Sequence, residues 1–222
     1  MLLLPDGYFM QDNFLTAEEL EIINNALAKL DISDDAVGIR DILQQCPYLL
    51  QFANSKRILN YVQPYFESPA SLVRAILFNK TAESNWLVPW HQDKTVAVSK
   101  RFDNPLWNCW SIKGGVNHVQ PPVDILNRMI TLRIHLDDTT EKNGCLKVIP
   151  NSHKLGILKQ SDINNFVKNN SYQLCEGVTG SALVMRPHLV HSSSKAKEPI
   201  QRRILHIEFS DFTLPSGITW AS

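Results

Sequence analysis

The sequence predicts a mainly β protein with flanking N-terminal helices, a double-stranded β-helix of the jelly-roll, cupin-like kind. Three observations predict it. Helix signals are confined to about the first 70 residues. From Leu72 onward the chain turns to short runs rich in β-branched and apolar residues, separated by turns. At 222 residues it also has the length of one sizeable domain with a full core. The expected organisation is a single domain over 1–222, with a helical buttress at about 1–70, a jelly-roll core at about 71–210 and an insert at about 94–129.

Thr16-Ala17-Glu18-Glu19 has capping-box form, with Thr16 at the N-cap and Glu19 three residues on. Leu20, Ile23, Leu27 and Leu30 follow at helical spacing, which predicts an amphipathic helix over 17–30. Further helical segments are expected at about 39–46 and 55–66. Leu72 to Phe78 is a strand, as are 130–136, 145–149, 181–186 and 203–209. The insert carries Asn104-Pro105, Gly114-Gly115 and Pro121-Pro122 and is expected to have little regular structure. Loops this long are usually functional or disordered, and Trp107 and Trp110 argue for an ordered lid. The alternative is a surface loop whose aromatics pack for stability. There is no internal repeat and no low-complexity tract.

Lys and Arg number 22, as do Asp and Glu, and no basic block appears, so a nucleic-acid partner is not expected. Met1-Leu2-Leu3-Leu4 is apolar, but Pro5-Asp6-Gly7 cuts it far short of a signal peptide. No run approaches the ~20 apolar residues of a membrane span. Cys46, Cys109, Cys145 and Cys175 lack C-x-x-C spacing and read as reduced thiols of a cytoplasmic protein. Oligomeric state leaves no mark in the sequence.

The chemistry concentrates in His91-Gln92-Asp93, followed by His191 and then Arg202. On a strand, residues two apart face the same side, so His91 and Asp93 can offer a ring nitrogen and a carboxylate oxygen to one point. A histidine from a distant strand completes the two-His-one-carboxylate face that suits Fe(II) and leaves positions open for co-substrate and O₂. A downstream Arg, fixed in charge and able to grip a carboxylate through two bonds, is what 2-oxoglutarate requires. His135-Leu136-Asp137 has the same spacing but leads into the polar run 138–144, so Asp137 is expected to bond local backbone donors. His188 lies three residues before His191, on the opposite side of a presumed strand, and reads as a packing or supporting residue.

Trp90-His91-Gln92-Asp93, the block from Asp137-Asp138 through Asn143-Gly144-Cys145-Leu146-Lys147-Val148-Ile149-Pro150-Asn151-Ser152-His153, and His191-Ser192-Ser193 followed by Arg202 resemble the phytanoyl-CoA dioxygenase family in content and order. The likeness covers about 70–210, with Gly7-Tyr8-Phe9 as a typical opening. It implies Fe(II) held by His91, Asp93 and His191, and 2-oxoglutarate converted to succinate and CO₂ as O₂ oxidises a small-molecule substrate. It also implies that Arg202 and Ser193 bind the far carboxylate of 2-oxoglutarate, with Gln92 and Lys80 near the co-substrate. Thr131, Arg133 and His135 share one strand face, and if that face lines the pocket Thr131 and Arg133 lie close to the co-substrate as well. Many members carry Trp where this chain has Arg133. Related halogenases lack the carboxylate, so Asp93 implies hydroxylation rather than halogenation.

Strand alternation sets Arg203 with Leu205, Ile207 and Phe209, and Arg202 with Ile204, His206 and Glu208. Alternation alone would send the more apolar set to the core, whereas the family offset selects Arg202. Two other readings remain. One is a catalytically silent jelly-roll protein holding a ligand or metal. The other is a zinc hydrolase with the same ligands, for which no general base stands near His91. Arg74, Lys80 and Arg133, with Arg101 and Lys113 in the insert, point to a small polar acid as substrate, with Trp107 or Trp110 closing over it.

Overall fold

The computed structural model describes residues 2, 4–33, 36–198 and 201–222. Of the apolar opening, Met1 and Leu3 lie outside the described residues. The chain begins with β1 (Tyr8–Gln11) and α1 (Ala17–Leu27). Both capping-box bonds at Thr16 form, at 2.9 and 3.1 Å. Helix α1 stops three residues short of the expectation because its last turn tightens, Leu30 N bonding Leu27 O at 3.0 Å. After β2 (Gly38–Ile39), the expected helix at 39–46 shrinks to α2 (Ile42–Gln45). Pro47 then opens a separate helix, α3 (Pro47–Ala53), in the first-turn position where its missing N–H costs nothing. Ser55 caps α4 (Lys56–Val62).

The long strand β3 (Ser71–Lys80) opens the β region. It is followed by β4 (Val88–His91), β5 (Val96–Val98), β6 (Asn108–Lys113), β7 (Val116–Gln120), α5 (Val123–Leu126), β8 (Met129–His135) and β9 (Leu146–Val148). Helix α6 (Gln160–Asn169), β10 (Gln173–Cys175), β11 (Ala182–Met185), β12 (His191–Ser193) and β13 (Arg202–Ser210) complete the chain. The major sheet has order β1-β11-β8-β13-β3-β2 and the minor sheet β10-β9-β12-β4. Together they are the two walls of a jelly roll.

Period-two alternation divides the major sheet into two unlike faces. Leu77, Leu132, Ile134, Leu205, Ile207 and Phe209 are buried outward against the N-terminal helices, which supply Ile23, Leu49, Phe52 and Ile58. At about 25 cal/mol per Å² of apolar surface removed from water, this helix-backed layer is the main stabilising mass of the fold. The opposite face, turned to the minor sheet, carries Arg74, Phe78, Arg133, Arg202, His206 and Glu208.

The insert departs from the expectation of irregular structure. Strands β5, β7 and β6 form a third antiparallel sheet. Gly114 and Gly115 take φ of 56° and 77°, and Lys113 pairs with Val116, so this Gly-Gly makes the two-residue turn of a β-hairpin. Trp107 is buried in a separate core with Val98, Val119 and Met129. Trp110 packs edge-on to Phe102 at 5.3 Å and lies under Arg101 at 5.5 Å. Neither tryptophan nor Arg101 borders the central cavity, although Thr95 and Lys113 of the insert do, so what is corrected is the expectation that a tryptophan closes over it.

Candidate active site

Strands β4 and β12 lie side by side in the minor sheet, with His91 directly opposite His191. The two rings are 4.2 Å apart between centroids. Strand β4 ends at His91, and Asp93 follows it, tied by its backbone N–H to the Pro187 carbonyl at 3.0 Å. Its two carboxylate oxygens each lie 3.5 Å from one histidine Nε2. The three donor atoms lie within 4.8 Å of one another. Each Nδ1 faces a backbone carbonyl, Pro89 O at 2.9 Å for His91 and Leu189 O at 2.7 Å for His191. An Nδ1–H donated there leaves both Nε2 lone pairs aimed at the shared point, as metal-binding histidines are oriented.

The electrostatics agree. Burial, and then His91 beside it, hold His191 neutral with its pKa pushed down to about 3. Burial opposes ionisation of Asp93, but His191 and His91 outweigh it and hold the carboxyl well below its usual range. At His91, burial is outweighed by the hydrogen bond and charge of Asp93, so its pKa rises. Once a metal displaces the proton favoured on His91, one anionic oxygen and two neutral nitrogens are a donor set that fits Fe(II) with open positions.

Next to the triad is a cavity of about 280 Å³ bordered by His91, Asp93 and His191 and by Trp86, Arg202 and Ser193. Arg202 is 3% exposed and its Nε has no partner. Burial, and then Arg133, lower its pKa to about 10, so it stays charged at neutral pH. Lys80 sits opposite Arg202 in register, 1% exposed. Its ammonium donates to Ser193 Oγ at 3.0 Å and to the Ser194 carbonyl, and burial and Arg202 push its pKa down to about 7. Ser193 Oγ in turn donates to Gly144 O at 2.8 Å. Gly144 has φ of 80°, and a Cβ there would collide with Ser194 O, which gives the Asn143-Gly144 pair a structural reason. Arg133 donates from Nη1 to His206 Nδ1 at 2.8 Å, and His206 Nε2–H donates to Glu208 Oε1 at 3.0 Å. Glu208 also binds Arg74 at 2.7 Å.

Arg203 faces the other way, gripping Asp137 through Nε and Nη2 at 2.9 and 2.7 Å. Asp137 is thus held by a distant arginine and not by local backbone, as the sequence suggested. His135 bonds Ser181 Oγ at 2.9 Å and does not approach the triad. His188 is in the turn before β12, not on it, fully buried, with its ring 6.1 Å from His153. Two expected co-substrate residues lie elsewhere. Gln92 is turned away from the cavity, donating to Gly156 O and His188 O and accepting from Leu158 N, so it ties loops together. Thr131 is fully buried and does not border the cavity. Sequence reasoning missed Trp86, Arg40, His206 and Glu208. The last two were legible, since they alternate with Arg202 on one strand face; Trp86 and Arg40 carry no spacing signal.

The family model for phytanoyl-CoA dioxygenase (PhyH) matches residues 4–204. The chain belongs to the phytanoyl-CoA dioxygenase family. A curated relative, a probable alpha-ketoglutarate-dependent hypophosphite dioxygenase of Stutzerimonas stutzeri, is 21% identical over 93% of this chain and 76% of its own. Two solved structures share the fold. EctD from S. alaskensis, with 2-oxoglutarate and 5-hydroxyectoine, has TM-score 0.69 at 16% identity, covering 93% of this dioxygenase and 72% of EctD. HygX from Streptomyces hygroscopicus, with nickel, 2-oxoglutarate and hygromycin B, has TM-score 0.67 at 15% identity, covering 95% and 85%. The dioxygenase uses Fe(II) and 2-oxoglutarate as cofactors, and its site fits them. The converged Nε2, Nε2 and carboxylate donors suit the metal, and the buried, unpartnered Arg202 suits an anionic co-substrate. No helix among the described residues is long and apolar enough to cross a membrane.

Proposed function

We propose that this dioxygenase hydroxylates a small, polar, acidic organic molecule, with His91, Asp93 and His191 holding Fe(II) and Arg202 holding the far carboxylate of 2-oxoglutarate. The observation that carries the reading is the buried Arg202. Its charge has no carboxylate within ion-pair distance among the described residues, yet it borders the cavity that holds the triad. A buried cation without a partner costs several kcal/mol, so a ligand carboxylate is its natural complement. Bound together, Fe(II) and 2-oxoglutarate supply O₂ activation, with succinate and CO₂ released.

The chain's own residues do the rest. Ser193 lines the cavity beside Arg202, and Lys80, buried behind the lining, holds its hydroxyl and adds positive charge on that side. Arg133 is the strongest charged neighbour of Arg202 and adds to the positive field on that side, which supports a place near the co-substrate. Its guanidinium is fixed by His206, whose tautomer is set by Glu208. Trp86 flanks Lys80 at 5.3 Å and helps keep water from the seat. Arg40, Arg74 and Lys113 also border the cavity and favour an acidic substrate over a bare hydrocarbon. The curated relative named for hypophosphite, itself an anion, supports the same preference.

The test is succinate release by the Fe(II) protein across panels of organic acids, amino acids and acyl thioesters, with mass spectrometry of each stimulating compound. A gain of one oxygen atom is expected in an acid. Oxidation without oxygen gain would replace hydroxylation by a ring-forming or epimerising reaction. Absence of 2-oxoglutarate binding would leave the silent binding protein.

A further inference from the structure

Strand β3 lines the cavity with Arg74, Ile76 and Phe78 and carries a cation near each end of that face, Arg74 in the lining and Lys80 just behind it. Six residues at about 3.3 Å each set their Cα atoms roughly 20 Å apart. The Lys80 end is the seat described above, with Arg202 and Ser193. The Arg74 end gathers two more cations, one from the edge of the major sheet and one from the third sheet. Arg40 follows β2, and Lys113 ends β6 at the Gly114-Gly115 turn. All three border the same cavity as the triad. Gly114 of that turn and Arg40 also line one surface groove. Burial and then the charges of Arg74 and Arg40 lower the pKa of Lys113, which places the three close together.

Their compensation is incomplete. Arg74 is met by Glu208, which also accepts from His206, and Arg74 Nε has no partner. Among the described residues no carboxylate lies within ion-pair distance of Arg40 or Lys113. Asp31 and Asp41 line the outer groove beside Arg40 but not the cavity. Among the described residues that border the cavity Asp93 is the one carboxylate, and it belongs to the metal site, so with Glu208 offsetting Arg74 the cavity side of this end keeps an excess of positive charge.

We propose that Arg74, Arg40 and Lys113 form the anion subsite for the substrate, and that the group they take is doubly negative: a phosphoryl or phosphonyl head, or a pair of carboxylates. The proposal rests on the oxygenase reading, because that reading assigns the opposite end of β3 to 2-oxoglutarate. Substrate and co-substrate are then sorted by the two cationic ends, with the metal between them. Arg40 follows the edge strand of the major sheet and Lys113 belongs to the third sheet, so they set substrate specificity without touching the metal site.

The test uses the Fe(II) protein under nitrogen with saturating 2-oxoglutarate, so that the Arg202 end is filled. Inorganic phosphate, methylphosphonate, malonate and acetate are titrated at pH 8 by calorimetry and tryptophan fluorescence, Trp86 being the reporter in the cavity. At least one of the doubly charged ions should bind at least tenfold more tightly than acetate, and which one identifies the head group. Arg40→Gln and Lys113→Gln, both at exposed positions that tolerate substitution, should each weaken that binding about tenfold, as loss of one charge-assisted bond predicts. Their 2-oxoglutarate affinity should not change. Acetate binding as well as every dianion, no binding by any of the four, or dianion binding indifferent to both variants would overturn the proposal. A failure of the oxygenase reading looks different: the charge-transfer band of Fe(II) with 2-oxoglutarate never appears, while phosphate titration of the metal-free protein still reports on the Arg40 and Lys113 variants.

Discussion

Replacing Arg202 with Gln should move ligand affinity and apoprotein stability in opposite directions. Arg202 is 3% exposed, its Nε is unpartnered, and the like charges of Lys80 and Arg133 are its neighbours. In the apoprotein its charge is therefore a destabilising feature that Gln removes. Relief of about 1 kcal/mol raises Tm by roughly 2–4 °C in a chain of this size. The ligand-bound state loses a charge-assisted pair of about 1.5–3 kcal/mol, so the Kd for 2-oxoglutarate should rise about 10- to 150-fold. Arg203→Gln is the control. It breaks the Asp137 pair, whose arginine is a fifth exposed, and should lower Tm by about 2–4 °C with 2-oxoglutarate affinity unchanged. Anaerobic titration of the metal-to-ligand charge-transfer band gives the affinities, and circular dichroism the melting points. If Arg203→Gln abolishes 2-oxoglutarate binding while Arg202→Gln preserves it, the reasoning is refuted.

Ala substitution of Asp93 or His191 should remove most Fe(II) binding measured by anaerobic equilibrium dialysis, whereas His135→Ala, which loses a bond to Ser181, should retain it. Because Asp93 raises the pKa of His91, protons compete with metal there, and Fe(II) affinity should fall with acidification starting above the ordinary histidine value. Lys80 has its folded pKa lowered to about 7, so the unfolded chain binds more protons between there and its ordinary value; apoprotein stability should rise with pH across that window. Lys80→Met should flatten the rise in a pH series of thermal melts. Gln92→Leu should cost about 1–3 kcal/mol in urea unfolding by orphaning buried backbone groups, with no direct loss of 2-oxoglutarate affinity at matched folded fraction.

The strands and the triad were legible because both rest on short-range geometry. Period two predicts that His91 and Asp93 reach one side, and they do even though β4 ends at His91. What failed required pairing information. Gly114-Gly115 reads equally as loop or hairpin until β6 is known to lie beside β7. Trp107 looked like a lid because nothing in the sequence shows Val98, Val119 and Met129 gathering around it. Gln92 was placed near the co-substrate by the family resemblance, yet its side chain points to the far face, as alternation itself requires.

The choice between Arg202 and Arg203 shows how the fold resolves what a pattern leaves open. Alternation was expected to favour Arg203 inside, since its companions Leu205, Ile207 and Phe209 are the apolar ones. They are indeed in the largest core, but that core lies between the sheet and the helices. The interior of the jelly roll is the polar side, where Arg202, His206 and Glu208 point. A one-residue slip of β13 would exchange the faces, so something must hold the register. Asp137 does so at the strand's start, accepting from Arg203 N at 2.7 Å and from both ends of its guanidinium fork. The second H-x-D, whose donors form no cluster among the described residues, thereby helps hold the register in which Arg202 enters the cavity. Asp137→Asn should accordingly lower Tm, a loss that a double-mutant cycle with Arg203→Gln in thermal melts would expose as strongly non-additive.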